Sequence, residues 1–211
     1  MKRNTIVITA ALFVLAIFAW AGWANWEYRK QAAERVLANS AQVELVAAAT
    51  GDTPESLSPL VGKPAPAFAL EDLSGNMVSL SKYKGKALLI NFWATWCGPC
   101  KLETPWLVDL RNQYASQGFE IIGVSTDDID RGDKEKLGEE KKEIARFVEQ
   151  MHMPYPVLIE GDLLSKPYGG LDAMPTSFFV DRTGKVVAVQ MGITSKDDIA
   201  SNIRKALGEG N

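Results

Sequence analysis

Histidine and cysteine are scarce in this chain, with one histidine, His152, and two cysteines in 211 residues. A structural zinc site generally takes four Cys or His ligands, commonly as two spaced pairs, so this supply excludes the usual arrangements. Two cysteines three positions apart, Cys97 and Cys100, also make a poor scaffold staple. Closing so short a loop removes little entropy from the unfolded chain. Excess charge of either sign is missing too: the formal net charge is −3, and no stretch forms a basic stripe. Nucleic-acid binding therefore has no support. No glycine-rich phosphate loop occurs. Asp128, Asp130 and Glu139 echo a calcium loop, but Gly132 and Asp133 stand in reversed order for one. His152, between two methionines at the end of an expected helix, reads as structural.

One long apolar run is present. Lys2 and Arg3 precede an uncharged segment from Thr5 to Ala24. Twenty helical residues span about 30 Å, the thickness of a bilayer's hydrocarbon core. Trp20, Trp23, Trp26 and Tyr28 gather at its far end, where aromatic rings favour the membrane–water interface. Residues 1–25 are expected to be a single-pass inner-membrane anchor, with everything after them on the periplasmic, extracytoplasmic side. A cleaved signal peptide, using Ala19-Trp20-Ala21, is the alternative. Residues 26–60 combine an Ala- and Glu-rich stretch suited to a helical stalk with a Pro-rich linker. A folded domain is expected over 61–211.

Within that domain strands and helices alternate. Met77–Leu80 suggests a short strand. Ala87–Trp93 is a continuous apolar run, as in a strand buried on both faces. A helix is expected from about Cys97 to Gln117, with Gly118 closing it, and Phe119–Ser125 is the next buried strand. The charged stretch Asp127–Glu143 reads as a solvated loop leading into a helix that ends near Met151. A strand is expected over Tyr155–Ile159. Thr176–Val180 and Lys185–Met191 flank a turn at Asp181-Arg182-Thr183-Gly184 and read as a hairpin. Ser195 can cap a last helix running to about Leu207. The pattern predicts an α/β sandwich with a mixed central sheet.

The chemistry concentrates at Cys97-Gly98-Pro99-Cys100. A Cys-x-x-Cys pair where a strand gives way to a helix is a redox pair. A helix N-terminus offers free N–H groups and the positive end of the dipole, which stabilise a thiolate at Cys97. Pro99 fits the first turn, where a missing N–H costs nothing. Cys100, about one turn on, is expected to point inward. Cys97 then exchanges with a substrate disulfide and Cys100 resolves the mixed disulfide. Trp93 reads as core, and Trp96 as partner-facing surface.

The run Asn91-Phe92-Trp93-Ala94-Thr95-Trp96-Cys97-Gly98-Pro99-Cys100-Lys101-Leu102-Glu103-Thr104-Pro105 resembles the TlpA/ResA-type branch of the thioredoxin superfamily. So does Met174-Pro175-Thr176-Ser177-Phe178-Phe179-Val180-Asp181. The resemblance covers roughly residues 61–208. It implies a thioredoxin-like three-layer sandwich behind one N-terminal transmembrane helix, and a membrane-anchored thiol–disulfide oxidoreductase. It also implies that Pro175 is cis and faces the cysteines, with Met174, Pro175 and Thr176 joining Trp96, Gly98 and Pro99 in contact with the substrate. Cytoplasmic thioredoxins carry an Asp where this chain has Asn91. The branch resembled carries a Glu three residues after the second cysteine, here Glu103, which implies that this carboxyl moves the proton of the Cys100 thiol. No cofactor beyond the redox-active disulfide is implied. The implied partners are client proteins with disulfides, such as apocytochrome c or copper-site proteins, and a membrane thiol carrier as electron donor. A thiol peroxidase is one alternative, although peroxiredoxins have a Thr where this chain has Ala94. A Cu(I)-handling metallochaperone is another, since two thiolates suit a soft ion.

Overall fold

The computed structural model describes residues 58–209. The expected anchor and most of the expected stalk lie outside these residues. Among those described, no helix is long and apolar enough to cross a membrane.

A five-stranded mixed sheet forms the centre, in the order β5-β4-β3-β6-β7. Strand β3 (Ala87–Trp93) lies in the middle and is buried along its whole length. It pairs in parallel with β4 (Phe119–Ser125) and antiparallel with β6 (Thr176–Val180). β4 pairs in parallel with β5 (Val157–Leu158), and β6 antiparallel with β7 (Val186–Met191). A separate hairpin of β1 (Ala69–Glu71) and β2 (Met77–Ser79) precedes the sheet.

The apolar run of β3 serves two cores because successive side chains point to opposite faces. Ala87, Leu89 and Trp93 join one core with residues of α1 (Gly98–Tyr114), α2 (Lys134–Gln150) and α4 (Lys196–Leu207). Leu88, Ile90 and Phe92 join the other, under the β1–β2 hairpin and the short α3 (Asp162–Ser165). The three layers are present, with one outer layer thin. Trp93 is core, its ring stacked 4.7 Å from that of Phe147.

Several expected boundaries shift. The first helix ends at Tyr114 and continues as a 3-10 turn over Ala115–Gln117, before Gly118 turns left-handed at φ 80°. The charged stretch is helical from Lys134 onward, earlier than its polarity suggested. Asp133 caps that helix by accepting the N–H groups of Glu135 and Lys136, and Ile144 and Phe147 anchor one side in the core. His152 follows this helix at φ 51°. The Met153 N–H returns to the Val148 carbonyl at 3.1 Å, so His152 occupies the left-handed position of a Schellman stop. The expected strand over Tyr155–Ile159 shrinks to Val157–Leu158. Strand β1 and α3 had no counterpart in the sequence reading. Ser195 caps the last helix as expected, and Asp198 completes a capping box with it.

One glycine is fixed by contact. A Cβ on Gly161 would lie 2.7 Å from the Ser125 carbonyl oxygen and 2.7 Å from a Val124 methyl. Gly161→Ala is therefore expected to cost about 1–3 kcal/mol by overpacking the carboxyl end of β4. Urea unfolding of the oxidised protein checks this, and an unchanged midpoint would refute it.

Candidate active site

Every strand that matters to the site delivers its residue to one end of the sheet. β3 runs out at Trp93, Ala94 and Thr95 turn the chain, and α1 begins at Gly98 with Cys97 as its N-cap. Cys97 and Cys100 are joined in a disulfide, with Cα atoms 5.3 Å apart. Cys97 Sγ accepts the Cys100 N–H at 3.2 Å, so once reduced, a thiolate at Cys97 already has a backbone donor and the helix dipole behind it. Pro99 stands in the first turn, and Gly98 has open space beside its Cα. The sulfurs lie deep: Cys97 is 4% exposed and Cys100 1%. Trp96 beside them is 67% exposed. A groove of about 380 Å³ adjoins that ring, lined by Thr95, Lys101, Asp127, Asp128, Glu140 and Glu143 among others.

Cys100, Glu103, Thr104, Leu107 and Leu110 share the buried side of α1, as the i, i+3 and i+4 spacing dictates. Glu103 is 2% exposed. Its carboxylate accepts a hydrogen bond from Asn91 Nδ2 at 3.2 Å, and the same amide donates to Ser177 Oγ at 3.0 Å. Asn91 and Ser177 are register partners on β3 and β6. Burial pushes the Glu103 carboxyl up to about 7, against the smaller opposing pull of the Asn91 amide. It is a group that changes charge near neutral pH, one helical turn from the inner sulfur.

The Met174–Pro175 peptide bond is cis. Thr176 pairs with Phe92, which sets Pro175 beside the end of β3 from which the Cys97 loop departs. Met174 packs against the core that contains both cysteines, and its sulfur accepts the Thr126 hydroxyl at 3.1 Å. Met174, Pro175 and Thr176 thus reach the same end of the sheet as the cysteines.

Sequence reasoning missed two contributors. Asp127 accepts the Thr95 N–H at 3.0 and 3.1 Å and the Ser125 hydroxyl at 2.8 Å, with Thr95 Oγ1 as a further donor. It ties the loop before Cys97 to the end of β4. Tyr155 is 5% exposed, its ring lies against Gly123, and its hydroxyl has no hydrogen-bond partner. Burial and the nearby Glu103 charge both raise its pKa. Neither residue sits within a recognisable motif. Asp130 accepts the Gly132 N–H and pairs with Lys136.

Residues 61–189 match the AhpC/TSA family. The chain belongs to that family. It is 36% identical over 146 residues to the thiol-disulfide oxidoreductase ResA of Bacillus anthracis, covering 69% of this chain and 78% of that one. The ResA protein of Geobacillus thermodenitrificans is 35% identical over 150 residues, covering 71% of this chain and 79% of the relative. Among solved structures, a putative thiol:disulfide interchange protein DsbE from Chlorobium tepidum superposes with a TM-score of 0.59 at 32% identity, across 70% of this chain and 98% of that one. A thiol:disulfide interchange protein from Bacteroides sp. gives a TM-score of 0.57 at 29% identity, across 70% and 90%. The domain is thioredoxin-like and its activity is thiol–disulfide exchange.

Proposed function

We propose that the protein is an extracytoplasmic reductant, held to the inner membrane by residues 1–25 through a stalk and linker over 26–60, with its redox domain over 61–211. The observation that carries the reading is the Cys97–Cys100 pair at a helix N-terminus with buried Glu103 one turn further in. In the reduced protein the Cys97 thiolate attacks a client disulfide, forming a Cys97–client bond and releasing one client thiolate. The Cys100 thiolate then attacks Cys97 Sγ, releases the second client thiolate and closes the disulfide, so two electrons pass to the client. Glu103 takes up the Cys100 proton. Trp96, Gly98, Pro99, Met174, Pro175 and Thr176 line the place where the client chain lies. A membrane thiol carrier re-reduces the pair. Haem-binding cysteines of an apocytochrome c, or the cysteines of a copper site, are the client classes this chemistry suits.

Equilibration against glutathione or dithiothreitol tests the direction. The Gly98-Pro99 pair between the cysteines predicts a potential near or below about −270 mV, the value for thioredoxin. A value near about −120 mV would recast the protein as a disulfide donor. Peroxide turnover by the reduced protein would favour the peroxidase alternative.

A further inference from the structure

The pole of the domain opposite the cysteines carries an unusual charge. β3 starts beside Lys86 and carries the active site beyond its far end. The turn between β6 and β7 lies at the Lys86 pole, since Leu88 pairs with Val180. The amino-terminal end of the domain lies there too: Gly62 N–H bonds the Val186 carbonyl at 2.8 Å, and Ala65 N–H bonds the Gly184 carbonyl at 2.9 Å. These segments place Lys63, Lys82, Lys84, Lys86, Arg182 and Lys185 at one end, all of them exposed. None of the six forms a salt bridge among the described residues. Two acids lie nearby: Asp181, which accepts the Thr183 and Lys185 N–H groups and offsets part of the Lys185 charge, and Glu120, which is paired with Arg111 at 2.9 Å. Between the cations runs a mostly apolar groove of about 220 Å³, floored by Ala67, Leu80 and Val180 and rimmed by Lys84, Lys86 and Arg182.

The other pole has the opposite sign. Asp127, Asp128, Glu140 and Glu143 line the groove beside Trp96, against Lys101 and against Lys136, which lies 3.6 Å from Glu140. A net charge of −3 therefore conceals a domain with one basic and one acidic end. The seven residues of β3 separate them by roughly 20 Å at about 3.3 Å per residue, more than twice a Debye length of about 8 Å in physiological salt. An anionic surface attracts the basic pole without feeling the acidic one.

We propose that this basic pole is a lipid-facing surface that binds anionic phospholipid headgroups, with phosphates on the lysine rim and the first acyl methylenes over the groove. The choice of a bilayer as occupant rests on the anchor proposed above. The first described residues join the domain at this pole, with Gly62 and Ala65 held there, so a segment leading from that anchor meets the domain on its basic side. Each cation is worth about fivefold in partitioning to such a surface, and a weak peripheral contact adds to a tether as a second signal.

Full-length protein reconstituted in phosphatidylcholine vesicles, with and without phosphatidylglycerol, provides the test. Acetylation of Lys82, Lys84 and Lys86 is expected to slow about fivefold or more in the anionic vesicles and to recover in high salt, with Lys101 and Lys166 unchanged in both. Equal acetylation in the two vesicle types overturns the proposal, as does slowing that resists salt. Combining Lys82→Ser, Lys84→Ser, Lys86→Ser and Arg182→Ser should remove the salt-sensitive slowing of acetylation that Lys63 and Lys185 show in anionic vesicles, while reductase activity in detergent stays at the wild-type level. Slowing at those two lysines retained by the variant also overturns it. Flotation with neutral vesicles at high salt reports the anchor separately. A chain that fails to float there loses the anchor reading, whereas the acetylation contrast still decides the lipid-facing surface.

Discussion

Mixed with a client that bears an accessible disulfide, reduced Cys100→Ser protein is expected to accumulate a covalent adduct through Cys97. Cys97→Ser protein is expected to form none. Turnover falls roughly 10³-fold or more in both, because each cysteine is needed for a different bond in the same exchange. The asymmetry follows from position. Cys97 is the N-cap, its sulfur already accepts a backbone N–H, and exposed Trp96 adjoins it. Cys100 faces inward on α1 beside the core. Non-reducing electrophoresis with peptide mapping of the adduct reads the result. An adduct formed through Cys100 in the Cys97→Ser protein would reverse the assignment.

Glu103→Gln has the second large expectation, and it concerns both stability and rate. The carboxyl ordinarily loses its proton near 4.5, and burial in the oxidised domain raises this to about 7. Between those two pH values the folded state binds more protons than the unfolded chain. Stability therefore falls as pH rises across that window and levels off above it. The shift corresponds to ~3 kcal/mol. Glutamine keeps an acceptor for Asn91 and cannot ionise, so the variant should lose the slope and be the more stable protein at pH 8. Its reductase rate should nevertheless drop about 10²-fold, without the rise through neutral pH that an ionising Glu103 gives the wild type. Urea unfolding across pH and a rate profile measure the two effects. Parallel stability curves for the two proteins would show that Glu103 does not titrate in the folded state.

The parts of the fold that could be read beforehand were those set by local pattern. A continuous apolar run marked β3, a largely apolar one marked β4, the turn at Asp181-Arg182-Thr183-Gly184 marked β6 and β7, and Ser195 marked the start of α4. The first half of α2 read as loop because its residues are charged and only Ile144 and Phe147, further along the helix, are buried. Hairpin strand β1 is three residues long and follows a Pro-rich stretch, so it offered no periodicity to detect. The cysteines and Glu103 were legible through spacing along one helix. The partners of Glu103 were not: Asn91 is 12 residues away in sequence and Ser177 lies 86 beyond Asn91. Asp127 likewise reaches Thr95 across 32 residues. Segregated charge was invisible for the same reason, since Lys63, Lys86 and Arg182 meet only when the sheet is assembled.

The depth of the two sulfurs has a bearing on rate. With Cys97 4% and Cys100 1% exposed, an incoming sulfur has little room to approach them. A flexible client segment reaches such a site at lower cost than a packed one, because it can adjust its backbone to the surface beside exposed Trp96. The expected result is faster exchange with an unfolded client than with the same client folded, read by comparing the two rates.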